Sequence, residues 1–193
     1  MDVRDRILHA AAELYAETGF RGATTRRIAE RAGVNETTLF RHFGSKTRLL
    51  HEAFKCAGSS ANLCQLPARP ENPRVELTEW ATLNHRELYA RRSLIRTAMG
   101  EIEEHPDLMP PEQTPTVCAG QELIRYLREL QAAGRIRDDV PLAAAVTMFM
   151  GTLFADAMSR DVLSQMYSDP PETSVERYVE LFVRALGLEE APQ

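Results

Sequence analysis

Between Thr24 and Phe43 the chain reads Thr-Thr-Arg-Arg-Ile-Ala-Glu-Arg-Ala-Gly-Val-Asn-Glu-Thr-Thr-Leu-Phe-Arg-His-Phe. Hydroxyls and guanidinium groups dominate its polar positions. The chemistry they offer is recognition: guanidinium to phosphate or guanine, hydroxyl to phosphate or a base edge. Placement sharpens this reading. Arg26 and Arg27 fall in the first turn of one predicted helix, Lys46 and Arg48 in the first turn of another. Cations there oppose the helix macrodipole, at roughly 0.3–1 kcal/mol each when exposed. A phosphate reverses the sign, because a helix N-terminus and a cation both attract it. Solvated side chains are the plain alternative for any one of these charges. Four of them bracketing one motif favour a clamp on a phosphate backbone.

Other candidate groups lead less far. Glu101 and His105 lie four apart with Glu104 beside them, a spacing that suits two metal ligands on a helix face, but no third or fourth ligand is identifiable. Cys56 and Cys64 stand eight apart on the fourth predicted helix and suit a redox pair, although buried structural cysteine is commoner. With Cys118 the cysteines form no C-x-x-C pair and suggest neither a disulfide framework nor a zinc site. No G-x-S-x-G, P-loop, dinucleotide fingerprint or H-E-x-x-H is present. No enzymatic activity, metal or cofactor is expected.

The elements that must position the recognition residues follow from helical periodicity, and no stretch alternates convincingly with period 2. Ile7, Ala11, Leu14 and Tyr15 form the stripe of a first helix, with Gly19 as its stop. Short helices follow at about 25–32 and 36–43, separated by Gly33-Val34-Asn35, an arrangement that predicts a helix-turn-helix over 24–43. Leu39 and Phe43 pack back onto Ile7 and Leu14, which turns Glu36, Thr37, Phe40 and Arg41 outward. A recognition helix lies in the major groove with its N-terminal residues at the base edges. Ser45 offers an N-cap to a fourth helix carrying Leu49, Leu50, Ala53 and Phe54. Beyond the Pro67–Pro73 interruption, about 74–104 reads as one long helix or two. Further helices are expected at about 116–133, from Pro141 to about 161, and at about 174–186. The fold class is all-α with about nine helices: an N-terminal helix-turn-helix domain, 1–55, joined to a larger helical domain, 56–193.

Thr18-Gly19-Phe20, Thr24-Thr25-Arg26-Arg27-Ile28-Ala29, Ala32-Gly33-Val34 and Leu39-Phe40-Arg41-His42-Phe43-Gly44-Ser45-Lys46 resemble the N-terminal domain of TetR/AcrR-type transcriptional regulators. The resemblance covers about residues 4–55. It implies a dimeric, ligand-responsive repressor of a double-stranded DNA operator, with a variable C-terminal domain for effector binding and dimerisation. By motif position, Thr25 and Arg26 would contact phosphate, and Thr37, Thr38, Phe40 and Arg41 would enter the groove. His42 and Lys46 would hold the backbone. Arg27 and Glu36 complete the expected DNA-binding set. Thr37 stands where the family often has Gly, and Phe40 where it often has Tyr; the lost phenol removes a possible phosphate bond. Glu36 would prefer a cytosine amino group or point away from DNA.

In the C-terminal two-thirds, Val175, Tyr178, Val179, Phe182, Val183 and Leu186 follow the helical spacing rule without a miss. The preceding helix is apolar nearly all round, with Leu142, Val146, Gly151 and Phe154 among its residues. A core on one side and a second subunit on the other would cover it, so both segments are expected at a homodimer interface. A fully internal helix in a monomer is the alternative. Trp80, Leu83, Tyr89, Ile95, Met99, Tyr126 and Phe149 are candidates to line the pocket of a small-molecule effector, against a default reading as core. Arg86, Arg91, Arg92 and Arg96 form a basic cluster suited to an anionic ligand or to a solvated face.

Composition at first opposes nucleic-acid binding: 23 Lys and Arg against 28 Asp and Glu give a net charge of −5. The distribution reverses the point. Residues 1–55 carry 10 basic and 7 acidic side chains, net +3, and the remainder carries −8. At 44% hydrophobic and 26% charged residues, the chain has the balance of a globular protein. No apolar run follows the start, and the longest uncharged apolar stretch, Leu142–Ala155, is short for a bilayer. A cytoplasmic protein without membrane association is expected. The expected function is a homodimeric repressor released from a palindromic operator by a small molecule. An activator, a ligand-independent regulator, or a helical ligand-binding or enzymatic protein with a structural helix-turn-helix are the alternatives.

Overall fold

Asp2 opens the first helix by accepting the Asp5 N–H at 2.7 Å, and the apolar stripe of that helix then runs through Ile7, Ala11, Leu14 and Tyr15, all buried. The computed structural model describes residues 1–58, 65–106 and 115–188. Among these are nine α-helices and no strand: α1 Val3–Gly22, α2 Thr25–Ala32, α3 Glu36–Phe43, α4 Lys46–Gly58, α5 Pro73–Ala90, α6 Arg92–Gly100, α7 Pro115–Ala132, α8 Leu142–Ser159 and α9 Pro171–Ala185. The protein is all-α. The chain divides into two compact units, Met1–Ala61 with Arg91–Pro115, and Asn62–Ala90 with Thr116–Gln193.

In the first unit, α1 breaks at Gly19, whose φ of 67° lies outside the helical range. Residues 74–104 hold two helices, because the chain leaves helical geometry at Arg91, whose ψ is 8°. The second of these, α6, adds Ala98 to the core formed by Ile7, Leu14, Ile28, Leu39, Phe43, Leu49 and Leu50.

In the second unit, Leu77, Trp80, Leu123, Tyr126, Phe149, Leu153, Val175, Val179 and Phe182 share one core. The rings of Phe149 and Phe182 stack at 4.3 Å. The last helix begins at Pro171, earlier than its apolar stripe, because proline at the first helical position has no N–H to leave unpaired. α8 is long and apolar enough to cross a membrane by length and composition, with a mean hydropathy of 1.4. It runs past the apolar stretch through Asp156 to Ser159.

Members of two predicted sets belong to this core. Of the expected interface, Leu142, Val146, Val175, Val179, Phe182, Val183 and Leu186 are buried within the chain itself, and Phe154 and Tyr178 are half-buried. A buried side chain has no area left for a partner. Gly151 alone of that set is exposed. Along α8 the outward positions are Ala143, Ala144, Thr147, Met148, Gly151, Thr152 and Ala155. Of the expected pocket, Trp80, Tyr126 and Phe149 are core side chains, and the first two have their polar ends occupied. Trp80 Nε1 donates to Glu122 Oε2 at 3.1 Å and Tyr126 Oη to Glu76 Oε2 at 2.5 Å. Leu83 and Tyr89 are half-buried on α5. Ile95 and Met99 lie on α6, in the other unit. A cavity of about 660 Å³ in the second unit is lined instead by residues such as Arg74, Arg135, Glu180, Arg184 and Leu188.

Candidate DNA-binding surface

Four short-range devices set the geometry of α2, α3 and α4. Thr24 caps α2 by accepting the Arg27 N–H at 3.3 Å. At the other end Gly33 takes the left-handed conformation, φ 66° and ψ 39°, with its N–H on Glu30 O and the Val34 N–H on Ala29 O. This pair of bonds is a Schellman closure, and its positive φ strains any residue with a Cβ. Asn35 then caps α3, its Oδ1 accepting both the Thr38 N–H at 2.7 Å and the Thr38 hydroxyl at 2.8 Å. Ser45 caps α4 through the Arg48 N–H at 3.2 Å. The turn between α2 and α3 is therefore specified residue by residue, and with it the direction of α3.

The faces of α3 divide cleanly. Leu39 and Phe43 are fully buried, whereas Thr37, Phe40, Arg41 and His42 are exposed. Phe40 is 44% exposed, which leaves an aromatic ring standing on a polar surface. Glu36 does not join this row. Its carboxylate accepts the hydroxyl of Thr25, tying the first turn of α3 to the first turn of α2. That contact engages two residues expected at DNA, and Thr38, half-buried on its cap, is a third whose hydroxyl is engaged within the chain.

The basic residues sort in the same way. Arg26 is 82% exposed and pairs with Glu30 at 3.1 Å, a surface ion pair of little net worth that a phosphate can displace. Arg27 is exposed and donates to Gly22 O at 2.8 Å. Arg48 is exposed and pairs with Glu52, which also holds Arg4 at 2.5 Å. Lys46 differs from these. Half-buried, its ammonium donates to the Phe20 carbonyl and lies 4.0 Å from the centre of the Phe20 ring. Burial holds it below the usual lysine range, against the attraction of Glu101.

The residues weighed as metal ligands have another occupation. Both carboxylate oxygens of Glu101 accept the Phe20 N–H at 3.0 Å, and the His105 ring lies 3.9 Å from the Phe20 ring. Cys56 is an exposed free thiol, and Cys64 lies outside the described residues. The role of Glu101 is not legible in the sequence because its partner is 81 residues away along the chain. No local periodicity carries such a signal.

Residues 7–53 match the model of the tetR family of bacterial regulatory proteins. Over 183 residues the chain is 30% identical to the HTH-type transcriptional regulator YvkB of Bacillus subtilis, covering 94% of this chain and 96% of that protein. The chain belongs to the tetR family. This tetR-family protein is a DNA-binding transcriptional regulator, and α2–turn–α3 is its helix-turn-helix. It is also 25% identical, over 83% of its length and 78% of the relative's, to the HTH-type transcriptional repressor NicS of Pseudomonas putida. Among solved structures, Salmonella enterica GusR shares its fold with a TM-score of 0.71 at 24% identity, covering 95% of each chain.

Proposed function

We propose that this regulator is a homodimeric repressor that holds a palindromic operator and leaves it when a small molecule binds the C-terminal domain, 56–193. The observation that carries the DNA contact is the exposed row Thr37, Phe40, Arg41 and His42 on a helix whose opposite side is locked into the core. Arg26 and Arg27 flank it at the start of α2, where a phosphate gains from both cation and helix dipole. Arg41 reads a base edge, Phe40 offers apolar contact to a thymine methyl, and His42 reaches the backbone. Glu36 faces α2 rather than the groove, and the Thr25 hydroxyl meets phosphate only by giving up its bond to that carboxylate.

Repression is supported by the likeness to NicS, a named repressor. Dimerisation is supported by the outward strip of α8, Ala143, Ala144, Thr147, Met148, Gly151, Thr152 and Ala155, which carries no charge and lets a second helix approach closely. A two-fold dimer would place two copies of α3 about 34–36 Å apart or a multiple of that, which calls for a palindromic site. Effector release then follows if the ligand favours a dimer whose spacing no longer fits.

The test is selection of duplexes from a random pool by the full-length protein, followed by affinity at several salt concentrations. Enrichment of an inverted repeat whose binding falls linearly with log salt is expected. Failure to enrich any sequence removes the regulator reading. Enrichment of a single half-site without symmetry removes the dimer.

A further inference from the structure

Phe20 is the meeting point of three helices. α1 breaks at Gly19, and the Phe20 N–H that follows the break is bonded outside the helix. Glu101, just beyond the end of α6, supplies the acceptor with both oxygens at 3.0 Å. The Phe20 carbonyl takes the ammonium of Lys46, the first residue of α4. Its ring carries that same ammonium at 4.0 Å from the centroid and the His105 ring at 3.9 Å. Neighbouring contacts tie the same pieces together: Thr97 Oγ1 donates to Ala16 O at 3.2 Å, and Arg21 pairs with Glu104 at 3.8 Å. A Cβ at position 19 would collide with the Glu101 carboxylate, so the backbone is closed against that group.

This placement is unusual for an acid. Thr25, Arg26 and Arg27 follow Phe20 by a few residues, and Lys46, which begins α4, is bonded to Phe20 itself, so the starts of α2 and α4 are both tied to the joint that Glu101 holds. A carboxylate near a phosphate backbone costs affinity if exposed. Glu101 is half-buried, and its charge is met by a backbone N–H and by the attraction of Lys46.

We infer that Glu101 is a positioning residue for operator binding: through Phe20 and Lys46 it fixes how the starts of α2 and α4 are presented, without touching DNA. The inference rests on the DNA-binding reading above and adds to it a residue outside the helix-turn-helix. Lys46 accordingly serves first as an internal tie, and only its remaining donors are available to phosphate.

The experiment uses full-length wild type, E101A and E101Q, the duplex selected by wild type, and an unselected duplex of equal length. Affinities are taken per binding-competent molecule from stoichiometric titration. E101A is expected to weaken the selected duplex about tenfold, and E101Q, which keeps one acceptor for the Phe20 N–H, about threefold. Binding to the unselected duplex falls less, because non-specific contact does not need one fixed register on the backbone. A carboxylate that merely stabilised the fold would leave the ratio of the two affinities unchanged. The inference is overturned if both variants bind the selected duplex as wild type does, or if both duplexes weaken by one factor. If wild type selects no duplex, the DNA reading itself has failed, which is seen before any variant is compared.

Discussion

Arg41 and Lys46 bear the same charge close together in sequence, yet their surroundings separate them. Arg41 stands exposed on the outer face of α3, and Lys46 is folded onto Phe20. A guanidinium in the groove can make two parallel bonds to one guanine, which discriminates by about 1–3 kcal/mol against the wrong base. Arg41→Ala is therefore expected to flatten preference at one position of each half-site when selection is repeated, with the other positions kept. Equal weakening on every sequence would assign Arg41 to the backbone instead. The exposed residues of α3 are readable from sequence, since a helix of eight residues with two buried anchors leaves little choice of face. The inward turn of Glu36 and Lys46 is not readable, because each depends on a partner brought in by tertiary packing.

At the scale of the element, α8 shows what an apolar helix conceals. Asp156 is buried in it, accepting from Arg160 at 2.8 and 2.6 Å, from Tyr178 Oη at 2.8 Å, and lying 2.7 Å from His85 Nε2. Burial alone would raise this carboxyl; the bonds from Arg160, Tyr178 and His85 outweigh it and hold the group below the usual aspartate range. Tyr178 responds in the other direction, pushed up to about 12 by burial and by the carboxylate it serves. The unfolded chain thus takes up the Asp156 proton first as pH falls. The stability that this group adds is complete above the ordinary aspartate pKa of about 3.9 and is lost as pH falls through the lower folded value. Asp156→Asn is expected to lower stability at neutral pH by about 3 kcal/mol, since Arg160 stays buried without its counter-charge. The part of acid unfolding due to this group should vanish with it. Urea denaturation at pH 7 and pH 3.5 measures both, and equal loss at the two pH values would refute the assignment.

The same helix explains why spacing alone misplaces faces. Caps, glycines and periodicity are local, so α1–α4 and their turn are legible in the residues themselves. An apolar stripe declares that a surface is covered, without saying by what. Val175, Val179 and Phe182 are covered by their own chain, and the outward residues of α8, though spaced as one helical face, carry no more charge than the inward ones, so no contrast of polarity marks them. The pocket residues are ambiguous for a related reason: Trp80 and Tyr126 look alike in a core or a cavity until Glu122 and Glu76 are seen on their polar ends.

For the whole molecule, the proposed dimer separates two substitutions that periodicity treats alike. Met148 is 67% exposed on α8, and Phe182 is 4% exposed inside the core. Met148→Glu is expected to give folded monomers by light scattering with an unchanged helical circular dichroism signal. Phe182→Glu would instead place a charge in the core and lower the melting temperature before any dissociation. A dimer that survives Met148→Glu and Gly151→Arg together would move the interface off α8.

The first unit is assembled from two lengths of chain, with α6 contributing Ala98 to its core. Exchange of parts between relatives is constrained by that topology. A single crossover after α4 would graft a reading head onto another protein's α6, with a foreign residue at the position of Glu101. Inheritance of operator preference by such a hybrid would require two further crossovers, one on each side of the second length. Lineages that trade sensing halves at one junction should accordingly show compensating changes in α6 rather than in α3.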